Sequence, residues 1–201
     1  MKKKVVILTL SEKWKKKCIV AFDREEKKLL RLVSSPENGD GIPLKYVNDI
    51  QLLDEVEIDV ISSCPLEHQT ENIFINLEFG LQKTGIIVEC TLLDIYKNID
   101  TTIFGDTDYK IDSVTDLSHS IEIVKFTEMY FENNGVGNKM KTKVRFNCQH
   151  KNYSLTDSRY YCCDRSIRSG YVVISLPLSD DYTREGNGYY KFISAIYEDT
   201  Q

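Results

Sequence analysis

Hydrophobic positions along this chain recur mostly in short bursts of period two, without the three- and four-residue rhythm of a long amphipathic helix. Val56, Ile58 and Val60 alternate with Glu55, Glu57 and Asp59, the pattern of a strand with one wet face. Ser62, Ser63 and Pro65 break that run, because proline brings no donor to a ladder. A second apolar burst, Ile73-Phe74-Ile75, follows a polar knot, His68-Gln69-Thr70-Glu71-Asn72. That knot reads either as a ligand site or as a structural turn whose side chains bond their own backbone. Ahead of it, Val5 to Leu8, Cys18 to Phe22 and Leu29 to Val33 read as strands, with a turn at Pro36-Glu37-Asn38-Gly39-Asp40-Gly41. Gly85 to Cys90 is ambiguous. Thr91 to Tyr96 suits one helical turn, with Thr91 as cap and Asp94 at the third position.

The same grammar returns after the polar stretch Asn98 to Asp108, which places a domain boundary near residue 100 and two units at 1–100 and 101–201. Ile121, Ile123 and Lys125 share one face of a half-buried strand, with Val124 and Phe126 on the other. Asn133 to Asn138 is a loop, and Lys139 to Phe146 alternates cations with apolar or small residues. Tyr153 to Asp157, Tyr171 to Leu176 and Tyr189 to Tyr197 complete the set. Short strands at such regular spacing predict a mainly β chain of sandwich or barrel architecture.

Composition changes this picture little: four prolines and an apolar fraction of 41% suffice for a packed core and argue against disorder. Met1 to Leu10 begins like a secretory leader, but its apolar run is only four residues before lysines resume, so a soluble, cytoplasmic protein without a membrane span is expected. Six cysteines in that setting predict reduced thiols, and a zinc site is not expected. Adjacent Cys162 and Cys163 would point to opposite faces of a strand. Charge is blocked along the chain. Residues 1–35 hold eleven Lys/Arg and four Asp/Glu, residues 36–135 five against twenty, and residues 136–201 ten against seven. Basic ends suit an anionic polymer; an acidic middle suits a basic protein partner.

No phosphate-binding glycine loop, dinucleotide fingerprint, nucleophile elbow or His-Glu-x-x-His helix occurs. His68 with Glu71, or Asp157, would serve a metal-dependent hydrolase of nucleic acid or nucleotides, but nothing in the sequence requires catalysis and no cofactor is implied. Aromatic and cationic residues do interleave: Trp14 lies among Lys13, Lys15, Lys16 and Lys17, and Tyr153, Arg159, Tyr160, Tyr161, Arg165, Arg168 and Tyr171 fall within nineteen residues. Small β-barrels that hold single strands stack bases on such rings and track the backbone with cations. Tyrosine is also a favoured strand residue, so the same pattern suits plain structure.

Several stretches together resemble the dual OB-fold family of prokaryotic proteins. They are Cys18-Ile19-Val20-Ala21, Leu30 to Ser34, Leu52 to Val56 and Gln69-x-Glu71-Asn72 in the first half. In the second they are Val144-Arg145-Phe146, Tyr153 to Asp157, Val173 to Pro177 and Tyr190 to Ile196. Phe22 stands where the family usually has a glycine after the first element. The resemblance implies two tandem OB-like small barrels with short helical connections, binding of nucleic acid or nucleotides, and a link to bacterial or phage defence; it supplies no catalytic residues. The expected function is a non-enzymatic module for single-stranded nucleic acid or a nucleotide. Its expected contacts are Lys13, Trp14, Lys16, Arg24, Arg31, Gln69, Asn72, Lys143, Arg145, Tyr153 and Arg159. The alternatives are a protein-interaction adaptor or inhibitor that uses the acidic middle, and the hydrolase.

Overall fold

The computed structural model of the chain describes residues 1–13, 15–86, 97–98, 102–135, 141–146, 151–178 and 188–199. Trp14, the helical turn expected at Thr91 to Tyr96, and the side chain of Lys13 lie outside the described residues. The chain divides into two units, Met1–Ile95 and Tyr96–Gln201. Among the described residues no helix is long and apolar enough to cross a membrane.

The first unit contains β1 (Lys2–Ile7), β2 (Ser11–Lys13), β3 (Lys16–Asp23), β4 (Lys28–Val33), β5 (Ile42–Pro43), β6 (Asp54–Ser63), β7 (Asn72–Asn76) and β8 (Gln82–Ile86). Five of these close a ring in the order β1-β3-β4-β7-β6, because β6 also pairs with β1. All the joints are antiparallel except β4–β7, where Arg31 lies opposite Asn72. This is the closed five-stranded OB barrel. Alternation on β6 decides what faces inward. Val56 and Ile58 join Ile7, Ile19, Leu32, Ile73 and Ile75 in the core, while Glu55, Glu57 and Asp59 face out. Each such aliphatic side chain contributes about 1.5–3 kcal/mol by leaving water. β6 runs to Ser63, past the break expected at Ser62, because a bulge between Val60 and Ser62 lets it turn onto β7.

The second unit holds β9 (Lys97–Asn98), β10 (Lys110–Ile111), β11 (Ile121–Phe126), β12 (Met129–Asn134), β13 (Lys141–Phe146), β14 (Tyr153–Leu155), β15 (Gly170–Ser175), β16 (Tyr189–Tyr190) and β17 (Phe192–Glu198). Its main sheet runs β12-β13-β14-β17-β15-β11-β9. β11 and β12 lie near opposite ends of this path, yet only Thr127 and Glu128 separate them in sequence. They act as two halves of one long first strand: β11 pairs with β15 and β12 with β13. The unit therefore repeats the OB order, again with one parallel joint in the ring, β14–β17. Its core gathers Val124, Phe126, Met129, Val144, Phe146, Tyr153, Ile174 and Ile196. Gly170 is required where β15 meets β17, since a Cβ there would sit 2.1 Å from the Tyr197 carbonyl oxygen. A 3-10 turn, Leu44–Tyr46, follows β5 and another, Ser158–Tyr160, follows β14.

Candidate nucleic-acid interface

The basic segment at residues 1–35 is folded against the acidic middle. β1 lies antiparallel to β6, so Lys2 pairs with Asp59 in the ladder and Lys4 with Glu57. Lys2 Nζ lies 2.5 Å from Glu57, Lys4 Nζ 4.0 Å from Glu55, and Arg24 3.6 Å from the same Glu55. Lys3 bonds Asp23 at 2.6 Å and also Glu26. Lys16 meets Asp40 at 2.8 Å, Lys17 meets Glu12 at 3.3 Å and Lys28 meets Glu26 at 3.3 Å. Each exposed pair is worth about 0–1 kcal/mol, and those to Asp40, Glu55 and Glu57 offset part of the positive charge that the charge blocks suggested. Glu55, Glu57 and Asp59 are likewise committed to cations or to the terminal ammonium.

Arg31, Gln69 and Asn72 do come together, but inside the first barrel's rim. Arg31 is 7% exposed and its guanidinium reaches Glu71 at 3.6 Å, while its backbone N–H donates to the Glu71 carbonyl at 2.9 Å. Asn72 is fully buried, and its amide donates to Gln69 Oε1 at 3.4 Å. The Leu66–Gln69 turn closes by two backbone hydrogen bonds, with Glu67 at positive φ. Gly39 covers this turn; a Cβ there would come within 3.2 Å of Leu66 and 3.4 Å of Asn72. His68 is buried as well, at 2% exposure. The knot is a clasp between β4, β7 and the loop after β4. Its burial leaves these side chains no open face toward a polymer.

Two further expected contacts, the buried Tyr153 and the exposed Arg159, are engaged by partners within the second unit. Tyr153 is 1% exposed and stacks on Phe146 at 5.1 Å between ring centroids, so it offers no open ring. Burial, reinforced by Asp108 and Asp106, pushes its phenol up to about 12. Arg159 is clamped by Asp157, through Nε at 3.0 Å and Nη2 at 2.7 Å, and it also donates to the Ile196 carbonyl at 2.7 Å. Asp157 in turn accepts from the Ile196 backbone N–H at 3.0 Å. Tyr160 donates to Glu198 at 2.8 Å, and Arg165 forks onto the same carboxylate. The tyrosine- and arginine-rich stretch is thus largely tied down by its own carboxylates.

Lys143 and Arg145 remain, and they share an open face. On β13 the core side is Thr142, Val144 and Phe146, so Lys141, Lys143 and Arg145 point outward. Opposite them on β12 stand Asn134, Glu132 and Tyr130. Tyr130 is 43% exposed, with the Arg145 guanidinium 5.7 Å from its ring centre. Lys143 pairs across to Ser154, and Ser154 to Phe192, carrying the same face onto β14 and β17. There Tyr190 meets Phe192 edge-on at 6.3 Å and stacks with Tyr109 at 5.7 Å; Lys151 lies 6.0 Å from the Tyr109 ring centre. Glu132 sits within the patch, held by Asn134 and Asn152. A strip of rings and cations crosses four strands. Tyr130, Tyr109, Tyr190, Phe192 and Lys151 were not among the expected contacts. The alternation Met129, Phe131 against Tyr130, Glu132 carries the signal for the first of them.

The family model for the dual OB-containing domain matches residues 3–196. No curated protein matches the chain, and no solved structure does.

Proposed function

Because the chain belongs to the dual OB-containing domain family, we propose that it is a non-enzymatic binding module for single-stranded nucleic acid or nucleotides. The ligand lies on the outer face of β12, β13, β14 and β17. The observation that carries this reading is the exposed Tyr130 ring with Arg145 beside it and Lys141 and Lys143 along the same strand. Bases stack on the ring, and the cations follow the phosphates. Of these, β13 and β14 are the second and third strands of the unit's OB order, the pair whose face OB barrels use for oligonucleotides.

Fluorescence anisotropy with a labelled single-stranded oligonucleotide at low salt tests the proposal. Binding should weaken steeply as salt rises, because released counterions drive part of it. Tyr130→Ala and Arg145→Ala should each lower affinity by about 1–2 kcal/mol, roughly five- to thirtyfold. Lys2→Ala, whose ammonium is already paired with Glu57, should leave it unchanged. Undiminished affinity in Tyr130→Ala and Arg145→Ala would refute this face, and no binding at low salt would refute the function.

A further inference from the structure

Cys162 and Cys163 are adjacent thiols on the loop between β14 and β15; Cys162 is exposed and Cys163 half-buried. The loop is not a strand, so the expected divergence of neighbouring side chains does not apply. The 3-10 turn Ser158–Tyr160 ends just before them, Cys162 sits at φ 60°, and the Cys163 N–H donates to the Tyr160 carbonyl at 3.2 Å. A left-handed conformation is uncommon for a residue with a Cβ and is maintained by what surrounds it.

What surrounds it is the β12–β13 hairpin. The Cys162 N–H donates to Thr142 Oγ1 at 3.1 Å, and Thr142 Oγ1–H donates to Asn133 Oδ1 at 2.7 Å. Asn133 Nδ2 donates back to the Cys163 carbonyl at 2.9 Å. Asn133 and Thr142 are cross-strand partners, so the bonds form a closed ring between the dithiol turn and one rung of the hairpin. The next rung is Glu132 and Lys143, on the strip of rings and cations.

We propose that Cys162 and Cys163 are an oxidation site, a vicinal dithiol that hydrogen peroxide closes to a disulfide. One thiolate attacks the peroxide O–O bond, forming a sulfenic acid and releasing water once the leaving oxygen is protonated. The neighbouring sulfur attacks that sulfenic sulfur, the S–S bond forms, and the hydroxyl leaves as a second water. Two thiols and one peroxide become one disulfide and two waters. Consecutive Cα atoms across a trans peptide are about 3.8 Å apart, shorter than the roughly 4.4–6.8 Å that disulfides usually span. The bond therefore forms under strain and is easily reduced, which suits a reversible modification and not a structural staple. Closing it redraws the turn at Cys162 and opens the hydrogen-bonded ring, loosening the rung beside Lys143. This last consequence for ligand affinity rests on the proposed binding face; the chemistry at the two sulfurs does not.

The full chain is treated with one equivalent of hydrogen peroxide, the remaining thiols are alkylated with iodoacetamide, and peptides are weighed. The peptide holding both cysteines should lose two hydrogens, carry no alkyl group and recover both thiols with dithiothreitol. In Cys162→Ser and Cys163→Ser the two-hydrogen loss should vanish, and the remaining thiol should gain oxygen. Full alkylation of both cysteines after peroxide would overturn the proposal, as would disulfides linking them to other cysteines. Amide exchange in the segment spanning Thr142 should quicken about five- to tenfold on oxidation, as expected when one hydrogen bond is lost; unchanged exchange would overturn the coupling to the hairpin. Oligonucleotide affinity should fall on oxidation of the native chain and not of the serine variants. If the disulfide forms but neither state binds oligonucleotide, the binding reading fails and the oxidation site stands.

Discussion

Lys191 offers the sharpest test of the second unit. It falls between β16 and β17, where period two points it inward with Ile193 while Tyr190 and Phe192 face out. Its side chain is fully buried; Nζ donates to the Asp106 carbonyl at 2.8 Å and lies 4.0 Å from that residue's carboxylate. Burial lowers its pKa to about 8, against the partial support of Asp106, Glu122 and Asp108. With the pKa lowered from 10.5 to about 8, keeping the ammonium charged in the fold costs about 3 kcal/mol relative to water. The sign follows from proton uptake: between these two values the unfolded chain binds the proton and the folded one does not, so stability rises with pH. From pH 7 to pH 9.5 the rise is about 2 kcal/mol. Lys191→Met removes the ammonium, and it leaves no orphan acceptor, since the Asp106 carbonyl also accepts from the Ile103 N–H at 2.9 Å. We expect the variant to be about 1–3 kcal/mol more stable at pH 7 and to lose the alkaline gain. Urea denaturation of the full chain at pH 7, 8, 9 and 9.5 measures both, with circular dichroism following the fold and the single tryptophan, Trp14, reporting on the first unit as an internal control. A variant less stable than the native chain, or one that keeps the full alkaline rise, would refute the reasoning.

Three further outcomes follow from the ion pairs. Asp157→Ala should destabilise the second unit by about 2–3 kcal/mol, because it frees the Ile196 N–H and strips Arg159 of its fork; Arg159→Lys should not match native stability, as one ammonium cannot replace the two parallel bonds. Both are read by thermal unfolding. In the first unit, burial works to raise the Asp23 carboxyl, but hydrogen bonds from Lys3 and from the Glu26 and Glu25 N–H groups outweigh it, and the Asp23 pKa is lowered. Glu26 is lowered by Lys3 first and Lys28 second. Lowered carboxyls add stability that is present above their unfolded values, 3.8 and 4.5, and lost as pH falls through the folded ones. Lys3→Met should therefore move the acid-unfolding midpoint, followed by tryptophan fluorescence, to higher pH; an unmoved midpoint would remove Lys3 from the account.

Period-two alternation is local, so it was readable without coordinates. Val56 and Ile58 against Glu55 and Glu57, or Val144 and Phe146 against Lys143 and Arg145, declare both a strand and its inward face. The mainly β class follows from such stretches in order; the tandem OB-like barrels were implied by the resemblance to the dual OB-fold family. Partnership between strands is not local. That β1 lies against β6 is what sets lysines opposite carboxylates and turns a basic segment and an acidic one into a neutral seam. Arg159 and Tyr153 carry the side chains that bind nucleic acid elsewhere, but their roles depended on Asp157 two residues away and on Phe146 across the sheet. The turn at Cys162 depended on Thr142 and Asn133, twenty and more residues upstream. Alternation specifies which side of a strand is wet; only the closed ring of strands decides what that wet side meets, because charge cancels and rings are buried through neighbours distant in the chain.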